Sequence, residues 1–127
     1  MMAMTNRKLT GTVNYHAGVA AENQIAADYQ KRGLDLAARR WRGSGGEIDL
    51  VFKDRATAEI VFVEVKKAKN FADAALRITS RQIARICTAA EEFLGTQPNG
   101  LLTPMRVDAA FVNQRGETHI LENAITA

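Results

Sequence analysis

Residues 47–66 read EIDLVFKDRATAEIVFVEVK, and their pattern decides the fold. Glu47 to Phe52 and Glu59 to Lys66 alternate and are rich in β-branched and aromatic side chains, so each predicts a strand. Lys53 to Ala58 between them is polar and predicts a hairpin loop. In the second strand Ile60, Phe62, Glu64 and Lys66 share one face, while Val61, Val63 and Val65 share the other. Glu64 and Lys66 therefore point the same way, about 6–7 Å apart along the strand. Leaving either one buried and unpaired would cost several kcal/mol, so a charged pair in so apolar a strand calls for a reason.

If the hairpin closes near the middle of its loop, Asp49 falls opposite or nearly opposite Glu64. Two carboxylates facing each other across a ladder repel. A hard divalent cation such as Mg²⁺ turns that repulsion into binding, because it takes oxygen ligands from one or two carboxylates. The Val65 carbonyl is a candidate third oxygen. Lys66 would stand beside the ion, placed to orient or deprotonate an attacking water.

Working outward, Gly18 to Gln30 has helical spacing, with Val19, Ile25, Ala26 and Tyr29 on one side and Gly33 as a stop. Glu22 falls at the centre of that apolar stripe, so it faces cations or a cleft rather than solvent. Leu34 to Arg42 predicts a short strand, and Gly43 to Gly46 a turn or flexible connection. Arg81 to Leu94 predicts a second helix, with Ile83, Ile86, Ala90 and Phe93 as its stripe, Thr79 to Gln82 as a capping start and Gly95 as its end. Gln82 fits both that cap and support of an active site. Met105 to Asn113 and Thr118 to Leu121 predict two further strands around a turn at 114–116. The expected order is helix, three strands, helix, two strands: a mixed α/β domain with the sheet as its spine.

The chain has 127 residues and a net charge of +3, the size of one domain. No apolar run reaches the roughly 18 residues of a membrane span, and the opening residues lack the apolar stretch of a secretory signal, so a cytoplasmic location and no membrane partner are expected. Residues 1–16 show no periodicity and are expected to form a flexible arm before a single domain over 17–127. The single cysteine, Cys87, forms no internal disulfide and is expected in the core; no Cys/His spacing suits zinc. Charge is segregated: +4 over 31–42, −3 over 43–65, +5 over 66–85 and −3 over 91–127. An acidic segment between basic ones suits metal held by carboxylates and phosphate held by Arg39, Arg40, Arg42, Lys67, Lys69, Arg81 and Arg85. Asp108 is expected either to pair with Arg106 or to approach the site from a later strand. Trp41 is expected to pack, base stacking being its alternative role.

GSGGEIDLV (Gly43 to Val51) followed by VFVEVK resembles the YraN-like family of small bacterial proteins. The resemblance extends from about Gly18 to Ala124. It includes Ala21-Glu22, the spacing of Tyr29 and Gly33, Arg39 to Arg42, Arg85-Ile86, Arg106 to Asp108 and His119 to Ala124. That family is assigned to the PD-(D/E)XK nuclease superfamily and related to Holliday-junction resolvases. The resemblance implies a restriction-endonuclease-like α/β sandwich, with a mixed central sheet flanked by helices. It also implies an endonuclease dependent on Mg²⁺ or Mn²⁺ that hydrolyses DNA phosphodiesters, at branched or junction structures. The metal motif maps onto Asp49, Glu64 and Lys66, and the helical acid onto Glu22. Two positions depart from the pattern. Ala68 stands where members carry arginine after EVK, and Gln82 stands where lysine is usual. The alternative is a non-catalytic nucleic-acid-binding module that keeps the fold. Symmetric cutting of a junction would call for a homodimer.

Overall fold

Strand formation follows the apolar alternation, and five strands pair in the order β1-β2-β3-β4-β5. They are β1 (Leu34–Arg42), β2 (Glu47–Asp54), β3 (Ile60–Lys67), β4 (Met105–Val112) and β5 (Thr118–Leu121). The computed structural model describes residues 18–124; the expected arm at 1–16 lies outside the described residues. β1–β2, β2–β3 and β4–β5 are antiparallel, and β3–β4 is parallel. The sheet is therefore mixed, and the domain is mixed α/β as the sequence predicts.

Residues 18–31 are helical (α1). Ala21, Ile25, Ala26 and Tyr29 pack on Leu50, Phe52, Val61 and Val63, with the Tyr29 and Phe52 rings stacked at 4.5 Å. Gly33 ends the helix at φ 94°, a conformation that favours glycine. The opposite face carries Ile48, Val51, Ile60 and Phe62, covered by Ile86, Ala89, Ala90 and Phe93 of the helix Ser80–Leu94. That helix starts on the predicted capping box, Thr79 and Gln82 exchanging side-chain and backbone hydrogen bonds. The Phe93 ring meets Trp41 and Phe62 edge-on, so Trp41 packs, and Cys87 is partly buried beside them.

Two expectations need correction. A six-residue helix, Phe71–Leu76 (α2), precedes the long one (α3), where the sequence pattern had suggested none. Asn70 caps it by accepting from the Ala72 amide, and Ala74 and Phe71 pack against Phe111. The predicted loop at 53–58 also shortens, because Lys53 and Asp54 continue to pair with Asp35 and Leu34. The turn is then held by the Asp54 carboxylate, which accepts from the Ala56 and Thr57 amides.

Of its two expected roles, Asp108 takes the structural one. It is fully buried and accepts from the Tyr29 hydroxyl at 2.7 Å, the Arg106 guanidinium at 3.0 Å and the Asn123 amide at 2.8 Å. Burial, then the bond to Asp108, pushes the Tyr29 hydroxyl well above its ordinary pKa.

Candidate active site

The sheet opens at Asp49. On one side, β1 pairs Arg39 with Leu50 and Trp41 with Ile48, which leaves Arg40 facing Asp49. Arg40 takes φ 46°, a left-handed conformation uncommon for a residue with a side chain. On the other side, the β2–β3 ladder ends at Leu50–Val63. One step further the register sets Asp49 against Glu64, as the hairpin arithmetic predicts. There the Asp49 carboxylate, not a backbone carbonyl, accepts the Val65 amide at 2.8 Å. The alternation of β2 slips at this point, so Ile48 packs with Val51 towards α3 while Leu50 and Phe52 pack towards α1.

Asp49 and Glu64 line a cavity of about 420 Å³ with Glu22, Arg40, Gln82 and Arg85. Glu22 comes from the first turns of α1, is 8% exposed, and accepts from Arg40 Nε at 3.2 Å. Lys66 Nζ lies 3.4 Å from Glu64 Oε1. Burial and then the charge of Asp49 push the Glu64 carboxyl up to about 7, against the pull of Lys66. Burial raises Asp49 too; the Val65 amide opposes this and the charge of Glu22 adds to it.

Two partly buried carboxyls facing each other suit a hard divalent cation, which takes oxygen ligands from one or two carboxylates. Among the described residues, no three His, Cys, Asp or Glu side chains gather closely enough to hold an ion by themselves. Glu22 is thus a wall of the cavity and a partner of Arg40, not a third carboxylate beside the pair. Asp49 and Glu64 leave most of an octahedral shell to water or substrate, which is how Mg²⁺ is usually held.

With that geometry in view, relatives can be placed. The model described as "Uncharacterised protein family UPF0102" matches residues 21–112, from the residue before Glu22 to the end of β4. The chain belongs to the UPF0102 family. This is the family that the GSGGEIDLV and VFVEVK segments resemble. A UPF0102 protein of Ruegeria pomeroyi is 50% identical over 124 residues, covering 98% of this chain and 97% of the relative. One from Cereibacter sphaeroides is 48% identical over 119 residues, 94% of this chain and all of the relative. One from Dinoroseobacter shibae is 39% identical over 117 residues, 92% of this chain and 86% of the relative.

In this UPF0102 chain the remaining candidates divide between two places. Arg40, Arg85 and Gln82 reach the cavity of the carboxyl pair, so Gln82 serves both the cap and the cavity wall. Arg39 donates to Asn23 at 2.7 Å and Arg42 to Glu47 at 3.4 Å, both at the surface. Arg81 is exposed on the first turn of α3. Lys67 and Lys69 line a different cavity, beyond the end of β3.

Glu47, at the start of β2, is exposed and also lines the first cavity. The Gly43–Gly46 turn is not the flexible connection expected. Glu92 of α3 accepts from the Ser44 amide at 2.8 Å, the Ser44 hydroxyl at 2.7 Å and the Gly45 amide at 3.1 Å. A Cβ on Gly45 would lie 2.2 Å from Thr88 Cγ2, so this loop is packed down on the helix. Its glycines are explained by close approach to α3, a contact between distant residues that no local pattern announces.

Proposed function

We propose that this UPF0102 protein is a metal-dependent nuclease that hydrolyses DNA phosphodiesters, built on a restriction-endonuclease-like sandwich. The observation that carries the reading is the Asp49–Glu64 pair, set face to face across the strands and flanked by Lys66, in a cavity rimmed by Arg40 and Arg85. Two acids held together in a partly desolvated cavity cost stability, a cost that a bound cation would offset. The sandwich assignment rests on a mixed sheet with α1 on one face and α3 on the other.

Asp49, Glu64 and the Val65 carbonyl would hold Mg²⁺ or Mn²⁺. Such an ion would supply acidification of water and stabilisation of charge developing on the phosphoryl oxygens. Lys66, held by Glu64, positions the attacking water and manages its proton. Glu22 orients water from the far wall while Arg40 keeps its carboxylate in place. Arg85 and Arg81 attract the phosphate backbone, and Gln82 supports the wall between them. Arg39, Arg42, Lys67 and Lys69 add backbone contacts that do not read sequence. A junction cut symmetrically would engage two copies of the chain. Among the described residues, no helix is long and apolar enough to cross a membrane.

The deciding assay incubates the purified protein with linear and branched DNA in Mg²⁺, Mn²⁺ or EDTA. Metal-dependent cutting that Asp49→Asn abolishes is the expected result. The non-catalytic binding module draws on the engagement of Glu22 by Arg40. Binding that ignores EDTA, with no cutting of any substrate, would favour that module.

A further inference from the structure

Lys66 and Lys67 are neighbours on β3 and leave it on opposite sides. Lys66 meets Glu64. Lys67 instead lines a second cavity of about 590 Å³, where the parallel strands β3 and β4 end together at the Lys67–Val112 pair. Lys69 follows it, Arg77 reaches in from the end of α2, and Gln114 comes from the turn after β4. Asp73 is the acid among the lining residues.

Several other cations of the chain are ion-paired, Arg32, Arg42, Arg55 and Arg106 among them. Among the described residues, Lys67, Lys69 and Arg77 form none, although Asp73 lines the same cavity. Three like charges around one concavity repel, and a concave wall of low dielectric focuses their field outward. The crevice beyond the carboxyl ends of parallel strands is also where α/β sheets commonly take ligands. Two ammonium groups, a guanidinium fork and a neutral amide make a donor set suited to phosphate oxygens.

We infer that this second cavity is a phosphate-binding site for the backbone of a nucleic-acid strand, separate from the carboxyl pair and independent of metal. The identity of the polymer rests on the nuclease reading; the anion site rests on the cavity and its unpaired cations. The second cavity holds the strand while the first acts on it.

The test measures binding of a fluorescent single-stranded oligonucleotide in EDTA across a salt series. It compares wild type, Asp49→Asn and the double variant Lys69→Gln/Arg77→Gln. Both substituted positions of the double variant are exposed, and circular dichroism checks its fold. The double variant is expected to bind ~10-fold or more weakly and to lose about 1.4 from the salt slope, two cations at ~0.7 each for a single strand. Its Mn²⁺ binding should match wild type. Unchanged oligonucleotide affinity and slope would overturn the site, even if the wild type cuts DNA. A hexaglutamate peptide displacing the oligonucleotide as well as inorganic pyrophosphate does would overturn the phosphate assignment. A wild type that binds through these residues but cuts nothing would support this site and remove the nuclease reading instead.

Discussion

Two carboxylate sites lie on the same sheet, and their surroundings differ. Asp108 receives a phenol, a guanidinium and a backbone amide, all from the protein, and is fully buried. Asp49 and Glu64 have one amide and one ammonium as bonded partners, at the wall of a cavity that Arg40 and Arg85 also line. Arg106 is in turn anchored by Glu59 at 3.2 Å, so the first network closes on itself. The second network is open on one side. A buried carboxylate that the fold has fully satisfied is a piece of structure. One left open beside a cavity is prepared for something that arrives from outside.

The largest effect should come from breaking the closed network. Asp108→Ala leaves the fully buried Tyr29 hydroxyl and the Asn123 amide without their acceptor and costs Arg106 one of its partners, so a loss of about 3 kcal/mol or more is expected in urea denaturation. A variant as stable as wild type would erase the distinction between the two sites.

Lys66→Met tests the open site at constant volume. The variant should fold, retain Mn²⁺ in calorimetric titration, and cut DNA ~10²-fold or more slowly, the range for loss of acid–base assistance. Wild-type cutting would remove Lys66 from the mechanism. Failure to fold would make its contact with Glu64 a structural ion pair of the Asp108 kind.

The third expectation concerns pH. Glu64 titrates near 7 in the folded protein against an ordinary value of 4.5, so between these limits the folded state holds more protons than the unfolded one. Stability of the metal-free protein should therefore be highest below about pH 4.5 with respect to this group. It should fall as pH rises to about 7 and level off above that. Thermal melts across that window check the slope. Saturating Mn²⁺ should flatten it, because the ion takes the proton's place.

The smallest effect is the most diagnostic in sign. Asp49→Asn removes a repelling charge, so the metal-free variant should be more stable than wild type, by about 1 kcal/mol or less. Destabilisation would mean that the bond to the Val65 amide outweighs the repulsion, making Asp49 structural.

The hairpin was legible in the sequence because a period of two places Glu64 and Lys66 on one face whatever follows elsewhere. Asp49 opposite Glu64 required only a loop that closes near its middle. The capping box at Thr79 and Gln82 is equally local, and it formed where the spacing predicts. Other features depend on contacts between distant residues. α2 is too short to stand on propensity and forms because Phe71 and Ala74 meet Phe111. The engagement of Glu22 by Arg40 depends on a left-handed residue that only the finished sheet imposes. The glycine turn looked like a hinge until α3 supplied Glu92 to hold it. The Lys67–Arg77 cavity joins residues from three elements, and no spacing in the chain connects them.

The parallel β3–β4 ladder also sets an order of events during folding. The β1–β2–β3 meander pairs residues close in sequence, whereas Ile60 reaches Met105 only after both α2 and α3 have been made. Distant closure costs chain entropy before any contact repays it, so the meander should zip first and β4 should dock late. On the ribosome, Asp49 and Glu64 would face each other while Asp108 itself was still to be synthesised. The nascent hairpin would thus carry its repelling acids before it has a core to restrain them.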